Sequence, residues 1–140
     1  MFHSLSGYRM IARVVGVAGA LSIAAAHAQT IIGSPTIALK SGESTELGQL
    51  YWVSHCKSLL KSTPEVEVVD GPPGVTVSVK DAMVLPRFQN CASRVPGGIL
   101  VVSAKDIEDP SYTRLTIRVT YKTRDGDRKL SQVFNLSLIP

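Results

Sequence analysis

The chain has 140 residues, with 15 basic and 11 acidic side chains and a formal net charge of +4. This length suits one ordinary domain with a hydrophobic core, and no internal repeat or low-complexity linker divides the chain. Nucleic-acid-binding domains normally carry a strong, clustered excess of Lys and Arg. The small, dispersed positive charge therefore argues against a nucleic-acid partner.

The first 28 residues have the features of a cleavable signal peptide. Two arginines precede a short apolar stretch from Val14 to Ala26, and Ala26-His27-Ala28 is a small-x-small triplet that a signal peptidase accepts. The alternative is a transmembrane anchor or a buried core helix, but the apolar stretch falls short of the ~20 residues that span a bilayer. The sequence predicts a signal peptide over 1–28 and one mature domain over 29–140, without a transmembrane anchor and located in the periplasm or secreted.

Removal of this leader changes the net charge of the chain and the number of its histidine and methionine residues. Arg9 and Arg13 leave with it and no acidic residue does, so the mature charge falls to +2. His55 becomes the only histidine and Met83 the only methionine. A zinc site needs three or four N, S or O ligands, and a copper site favours several imidazole and thioether groups. No metal or cofactor is therefore expected.

The sequence of the mature chain predicts a series of short strands. All eight prolines follow the leader and, with the glycines, interrupt the chain at short intervals, as at Pro96-Gly97-Gly98. Between these breaks apolar residues alternate with a period of two, which places them on one face of a strand. The alternating sets are Ile37 and Leu39; Val66 and Val68; Val75, Val77 and Val79; Leu115, Ile117, Val119 and Tyr121; and Phe134, Leu136 and Leu138.

Three further stretches complete the predicted elements. Ile99–Val102 is continuously apolar and is predicted as a strand covered on both faces. Ser54–Lys61 is the one stretch compatible with a turn or two of helix. Arg124-Asp125-Gly126-Asp127 contains an Asp-Gly step that favours a tight hairpin turn between the last two strands.

About seven short strands with frequent turns predict an all-β, antiparallel sandwich of the immunoglobulin-like or fibronectin-like type, and a small β-barrel is the alternative. The immunoglobulin signature itself is absent, because Trp52 precedes both cysteines instead of lying between them. The stretches Cys56-Lys57-Ser58-Leu59-Leu60, Gly71-Pro72-Pro73-Gly74-Val75 and Asp125-Gly126 resemble small uncharacterised exported proteins of Gram-negative bacteria. That resemblance implies a periplasmic setting and no particular activity.

Cys56 and Cys91 are the only cysteines. In an oxidising compartment they are expected to form a disulfide that ties the irregular 54–61 segment to the loop around residues 88–94. A catalytic thiol or an intermolecular bridge is the alternative, although a redox pair would normally have Cys-x-x-Cys spacing.

Catalytic patterns are weak. His55 could serve a Ser-His or Cys-His enzyme, but no Gly-x-Ser-x-Gly elbow presents a serine and Cys56 is assigned to the disulfide. Two Ser-x-x-Lys matches, Ser54 to Lys57 and Ser58 to Lys61, lack the companion elements of penicillin-binding enzymes. The chain is therefore predicted not to be an enzyme, and a hydrolase of envelope polymers is the weakest alternative.

Two charged groups are candidate binding residues. The acidic loop Asp106, Glu108 and Asp109 could bind Ca²⁺ through its oxygens, although its spacing differs from a 12-residue calcium loop. The basic residues of the last hairpin could contact an anionic glycan or membrane surface, although a solvated hairpin tip is the simpler interpretation; these residues are Lys122, Arg124, Arg128 and Lys129.

The leading hypothesis is an exported, non-enzymatic binding module of the bacterial periplasm or cell envelope. It would present loops or a sheet edge to a protein or envelope component of unknown identity. A small ion or ligand carrier that uses the acidic loop is the second hypothesis. Trp52 is expected in the core, because the mature chain has few aromatic residues with which to build one.

Overall fold

The computed structural model describes residues 27–28, 35–87 and 90–140, with only the backbone path given for residues 27 and 28. Residues 1–26 of the predicted leader lie outside this description. Every regular element in the described residues is a β-strand, and none of them forms a helix long and apolar enough to cross a membrane.

Ten strands follow one another along the chain. The short ones are β1 (His27–Ala28), β4 (Trp52–Ser54) and β5 (Lys57–Ser58). The longer ones are β2 (Thr36–Lys40), β3 (Ser44–Leu50), β6 (Glu65–Asp70), β7 (Val75–Val84), β8 (Val95–Ala104), β9 (Ser111–Thr123) and β10 (Gly126–Ile139).

The seven longer strands form the two layers of a sandwich. One sheet has the order β2-β10-β9-β6 and the other has the order β3-β8-β7. All neighbours are antiparallel except β2, which runs parallel to β10. The orders β10-β9-β6 and β3-β8-β7 match the two sheets of immunoglobulin domains, and neither sheet closes on itself. The predicted sandwich is confirmed, and the barrel alternative is excluded.

The main core lies between the two sheets and is built by the alternation seen in the sequence. Leu115, Ile117, Val119 and Tyr121 all point inward from β9 and are completely buried. β10 contributes the even-numbered residues 134, 136 and 138, because its register sets each of them beside an inward residue of β9 or β2. Burial of this apolar surface is the dominant favourable term in folding.

The predicted helical stretch at Ser54–Lys61 is wrong. Here the chain forms the β4–β5 hairpin, in which Ser54 pairs with Lys57 around a turn at His55 and Cys56. Both turn residues have left-handed φ angles, 49° and 60°. Successive left-handed residues are incompatible with a right-handed helix, so the turn itself excludes the prediction.

Pro96-Gly97-Gly98 is not a break between strands but part of β8. A Cβ atom on Gly97 would clash with the carbonyl oxygen of Leu50, and one on Gly98 would clash with a methyl group of Val79. The two glycines therefore allow neighbouring chain to approach the strand closely, which is a recognised use of glycine within a sheet. Ile99 and Val101 are half-buried, so β8 is fully covered on only one face here.

A second, smaller core lies at one end of the molecule. It consists of Tyr51, Val53, Val84 and Val95, with Ala82 packed against them. Val84 and Val95 form a register pair of β7 and β8, and by alternation they point away from the face that carries Val79 and Leu100. Val53 of β4 belongs to this second core, while Trp52, on the other face of β4, packs against the main core as expected.

Candidate functional site

The two cysteines form the predicted disulfide. Cys56 and Cys91 are joined with an S–S length of 2.06 Å and a Cα–Cα distance of 5.4 Å. The bridge links the β4–β5 turn to the connection between β7 and β8. With 35 residues of sequence separation, the chain-entropy model gives a stabilisation of about 4 kcal/mol.

This bridge lies at what we call the disulfide end of the sandwich: the β4–β5 turn, the described residues 85–87 and 90–94 of the β7–β8 connection, and the tip of the β9–β10 hairpin. The hairpin tip belongs there because Leu60 forms a β-bridge with Thr123 and the Arg124 amide donates to the Leu59 carbonyl at 3.3 Å. The connections that contain Gly42, Gly74 and Lys105 meet at the opposite end through backbone hydrogen bonds of 2.8 Å.

Unusual backbone conformations concentrate at the disulfide end. His55, Cys56 and Asn90 have φ angles of 49°, 60° and 50°, and Asp106 at the opposite end is the only other non-glycine residue with positive φ in the described ranges. Such conformations persist only where the surrounding structure imposes them, and they are concentrated at functional sites. Here the disulfide and the β4–β5 pairing impose them.

Exposed apolar side chains lie beside these loops. Met83, near the end of β7, is 53% exposed, and Leu85, two residues later, is 39% exposed. The Arg94 guanidinium reaches back across the connection and donates to the Met83 carbonyl at 3.4 Å. The disulfide end thus combines an apolar surface with loops that are held in place, and the sequence pattern did not single out Met83 or Leu85.

The residues considered for catalysis are also at this end. The Ser54 hydroxyl lies 3.2 Å from Nδ1 of the exposed His55, and no carboxylate bonds to that ring within the described residues. The Ser58 hydroxyl donates to the Pro96 carbonyl at 3.3 Å and accepts from the Leu60 amide at 3.3 Å. Ser58 is thus engaged in holding the segment after β5 against β8, which is a structural role.

The β9–β10 hairpin is tight, as predicted, but the turn itself is formed by Arg124 and Asp125. Thr123 pairs with Gly126, and Gly126 has a φ of 110° whereas the two turn residues lack positive φ. This fits a type I turn followed by a left-handed glycine bulge. The Thr123 hydroxyl donates to the Gly126 carbonyl at 2.6 Å and accepts from the Asp125 amide at 3.3 Å.

The four basic residues of this hairpin are not brought together on one surface. Lys122 and Lys129 occupy register positions on the outer face of their sheet, whereas Arg128 pairs with Tyr121 and so belongs to the opposite face. Arg124 is in the turn. An anionic partner that contacts all four would have to wrap around the hairpin.

Lys122 is already paired with an acidic side chain. Its Nζ lies 3.0 Å from Oε1 of Glu65, and this hydrogen bond and the negative charge of Glu65 raise the pKa of Lys122. Arg118 makes a similar pair with Glu67 at 3.1 Å. Exposed pairs of this kind contribute little to stability, because solvent screens the two charges. The outer face of this sheet therefore carries both acidic and basic side chains and is not a basic patch.

The acidic loop lies at the opposite end, in the connection from β8 to β9. Asp106, Glu108 and Asp109 are all exposed, and the loop is anchored by a 3.1 Å hydrogen bond from the Ile107 amide to the Ser41 hydroxyl. Within the described residues, no three His, Cys, Asp or Glu side chains are close enough to hold a metal ion. Ion binding by this loop stays a prediction that the carboxylate arrangement does not favour.

Two buried tyrosines lie beneath the disulfide end. Their hydroxyl groups, those of Tyr51 and Tyr121, are shielded from solvent and find no hydrogen-bond partner among the described residues. Burial, with a smaller contribution from Tyr51, raises the pKa of Tyr121 to about 12. Alternation predicted that Tyr121 faces inward, but only the three-dimensional packing shows that its hydroxyl is unpaired.

The chain matches no protein-family model and no curated protein. The resemblance to small exported proteins of Gram-negative bacteria therefore stays a prediction, and the functional argument rests on the geometry of the molecule.

Proposed function

We propose that this protein is an exported, non-enzymatic binding module of the bacterial periplasm or cell envelope, and that its disulfide end contacts a protein or envelope partner. The observation that carries the proposal is the exposure of Met83 and Leu85 beside loops that the Cys56–Cys91 bridge holds in place. Apolar side chains in solvent favour burial against a partner.

The fixed loops strengthen this argument. Association costs free energy whenever loops or side chains must be ordered at the interface. A disulfide, the Arg94 hydrogen bond and the β4–β5 pairing order this end before any partner arrives. Binding loops carried on a rigid scaffold are a common arrangement in β-sandwiches.

The other exposed large apolar residues are less suited to this role. Val68 and Val69 lie at the bulge that interrupts the pairing of β6 with β9. Ile139 lies at the opposite end of the molecule, where its carbonyl accepts from the Ser41 amide at 2.8 Å. The Tyr112 ring is 69% exposed, but its hydroxyl is hydrogen-bonded to the Thr36 hydroxyl at 3.2 Å near the opposite end of the molecule. Met83 and Leu85, by contrast, are two positions apart at the end of one strand.

Export is supported by two independent features of the chain. The leader has a basic start, an apolar stretch and a small-x-small exit. The disulfide is a bond that persists in oxidising compartments and is rare in the cytosol.

Site-specific photo-crosslinking in intact cells tests the binding surface. A photoreactive amino acid replaces Met83 in one variant, Leu85 in a second and Tyr112 in a control, which is more exposed than either but far from the disulfide end. We expect the Met83 and Leu85 probes to trap the same envelope component and the Tyr112 probe not to trap it. Crosslinks of equal yield from all three positions, or from Tyr112 alone, would overturn the assignment of this surface.

A further inference from the structure

We propose that the free side of β4 is a strand-accepting site: the end of the leader occupies it before cleavage, and an extended segment of a partner polypeptide occupies it afterwards. The inference deepens the proposed function and rests on it, because it names the backbone surface at the disulfide end and the kind of partner that fits it.

The structure shows an extended segment in this site. β1 pairs antiparallel with β4, with His27 opposite Val53 and Ala28 opposite Trp52. β5 pairs with the other side of β4, where Val53 lies opposite Ser58. Among the described residues, positions 27 and 28 are the ones that make β4 an inner strand of this three-stranded sheet.

The backbone groups that face β1 can be identified. The Leu59 amide donates to the Trp52 carbonyl at 2.8 Å, so Trp52 directs its backbone groups towards the β5 side. Because successive residues of an antiparallel strand alternate in direction, Val53 directs its N–H and C=O towards β1. The pair of His27 and Val53 is thus the hydrogen-bonded pair, and the Val53 amide is the group that loses its partner when the leader leaves.

The edges of the four-stranded sheet are built to discourage pairing. β2 has only five residues and follows Pro35. β6 follows Pro64, carries Glu65 and Glu67 on one face, and has a bulge between Val68 and Asp70. Short strands, proline, charge and bulges are the usual protections of exposed sheet edges.

The edges of the three-stranded sheet have protections of the same kind. β3 is interrupted by a register shift between Glu46 and Gly48. β7 is long and regular, but it carries Lys80 and Asp81 at its middle, and by alternation Asp81 shares the face of the inward residue Val79. Charged side chains on an edge strand are a further protection against added strands.

β4 is shorter still, with three residues, but it lacks the other protections. Its residues, Trp52, Val53 and Ser54, include no charge and no proline, and both of its pairings run without a register shift. Cleavage after Ala28 would therefore expose a strand edge that has no charge, proline or bulge to discourage an added strand. A peptide added to such an edge gains backbone hydrogen bonds, the mode by which several domains bind extended segments.

Amide hydrogen exchange tests this inference on two chains, the mature form 29–140 and a form that begins at His27. We expect the Val53 amide to exchange about two- to tenfold more slowly in the longer chain, the range that one hydrogen bond provides. The Leu59 amide, which donates within β4–β5, is the internal control and should exchange equally in both.

A second experiment, with a synthetic peptide, tests whether the strand-accepting site binds a separate chain. The probe is a synthetic peptide of residues 22–28, and its control has proline at both positions 27 and 28, which removes the two N–H groups. The probe, and not the control, should slow exchange of the Val53 amide in the mature form. Equal Val53 exchange in the two chains, or no effect of the probe, would overturn the strand-accepting site. The crosslinking result at Met83 is independent of this outcome, so failure of the inference and failure of the proposed function are distinguishable.

Discussion

The indole ring of Trp52 lies 5.2 Å from the phenol ring of Tyr121, with the two planes tilted by 48°. This contact joins β4, the strand of the disulfide end, to the part of the main core beneath it. Tilted aromatic pairs at this distance contribute stability beyond the area that they bury. This aromatic pair is therefore one of the contacts that connect the proposed binding surface to the scaffold.

Replacement of Trp52 should show the strength of this connection. We expect Trp52→Ala to lower the free energy of unfolding by about 2–4 kcal/mol, because it removes a large, half-buried ring from the main core. Trp52→Phe keeps an aromatic partner for Tyr121 and should cost less than half as much. Urea denaturation followed by far-ultraviolet circular dichroism measures both, and equal losses for the two variants would show that the ring pair contributes little.

The stability of the protein should fall in alkaline solution because of Tyr121. Folding raises the pKa of Tyr121 from 10.0 to about 12, so the folded state holds the phenol proton more tightly. The contribution of this proton to the free energy of unfolding is fully present below pH 10 and is lost as the pH rises through 12. The total loss of stability is roughly 2–3 kcal/mol. The measurement is urea denaturation at intervals from pH 9 to pH 12.

Tyr121→Phe is the matched control for that titration. This variant lacks the ionisable hydroxyl and should lose less stability over the same pH interval. At pH 7 it should be as stable as the parent chain or more stable, because it removes a buried hydroxyl that has no partner. Parallel pH curves for the two proteins would contradict the assignment to Tyr121.

Loss of the disulfide should lower stability without changing the fold. We expect the double variant Cys56→Ser, Cys91→Ser to lose about 4 kcal/mol, the chain-entropy value for a loop of this length. Because both main sheets form without these residues, far-ultraviolet circular dichroism should still show the β-sheet spectrum at low temperature. If the variant is as stable as the parent chain, the disulfide does not contribute to the stability of the fold.

Calcium separates the binding-module hypothesis from the ion-carrier hypothesis. The carboxylates of Asp106, Glu108 and Asp109 are exposed and form no group that could hold a metal ion. We therefore expect millimolar Ca²⁺ to leave the melting temperature unchanged. An ion present at 100 times its Kd would stabilise the native state by about 2.7 kcal/mol, so a clear upward shift would favour the carrier.

Much of the fold was predictable because local pattern and tertiary burial agree. The alternation from Leu115 to Tyr121 identifies β9 because that strand is buried on one face only. The disulfide followed from the presence of two cysteines in a chain whose leader predicts export. The type of the last turn did not follow, because an Asp-Gly step is compatible with more than one hairpin geometry.

The errors lie where the three-dimensional environment overrides local pattern. The 54–61 stretch lacks strand alternation because its turn is fixed by the disulfide and left-handed residues, which no periodicity reveals. Gly97 and Gly98 look like a break, but they are required by the approach of Leu50 and Val79 from distant parts of the sequence. The exposed pair Met83 and Leu85 was missed for the same reason, since alternation alone assigns residues to a face and not to solvent.

The most direct test of the account is the intact mass of the protein recovered from the envelope of the cells that produce it, after alkylation without reduction. The account predicts a chain that begins at Gln29 and carries no alkyl label, because the leader has been removed and both cysteines are joined. A chain that retains its leader and carries two labelled cysteines would contradict three proposals together. These are export, the disulfide that orders the loops at the disulfide end, and the free side of β4 after cleavage.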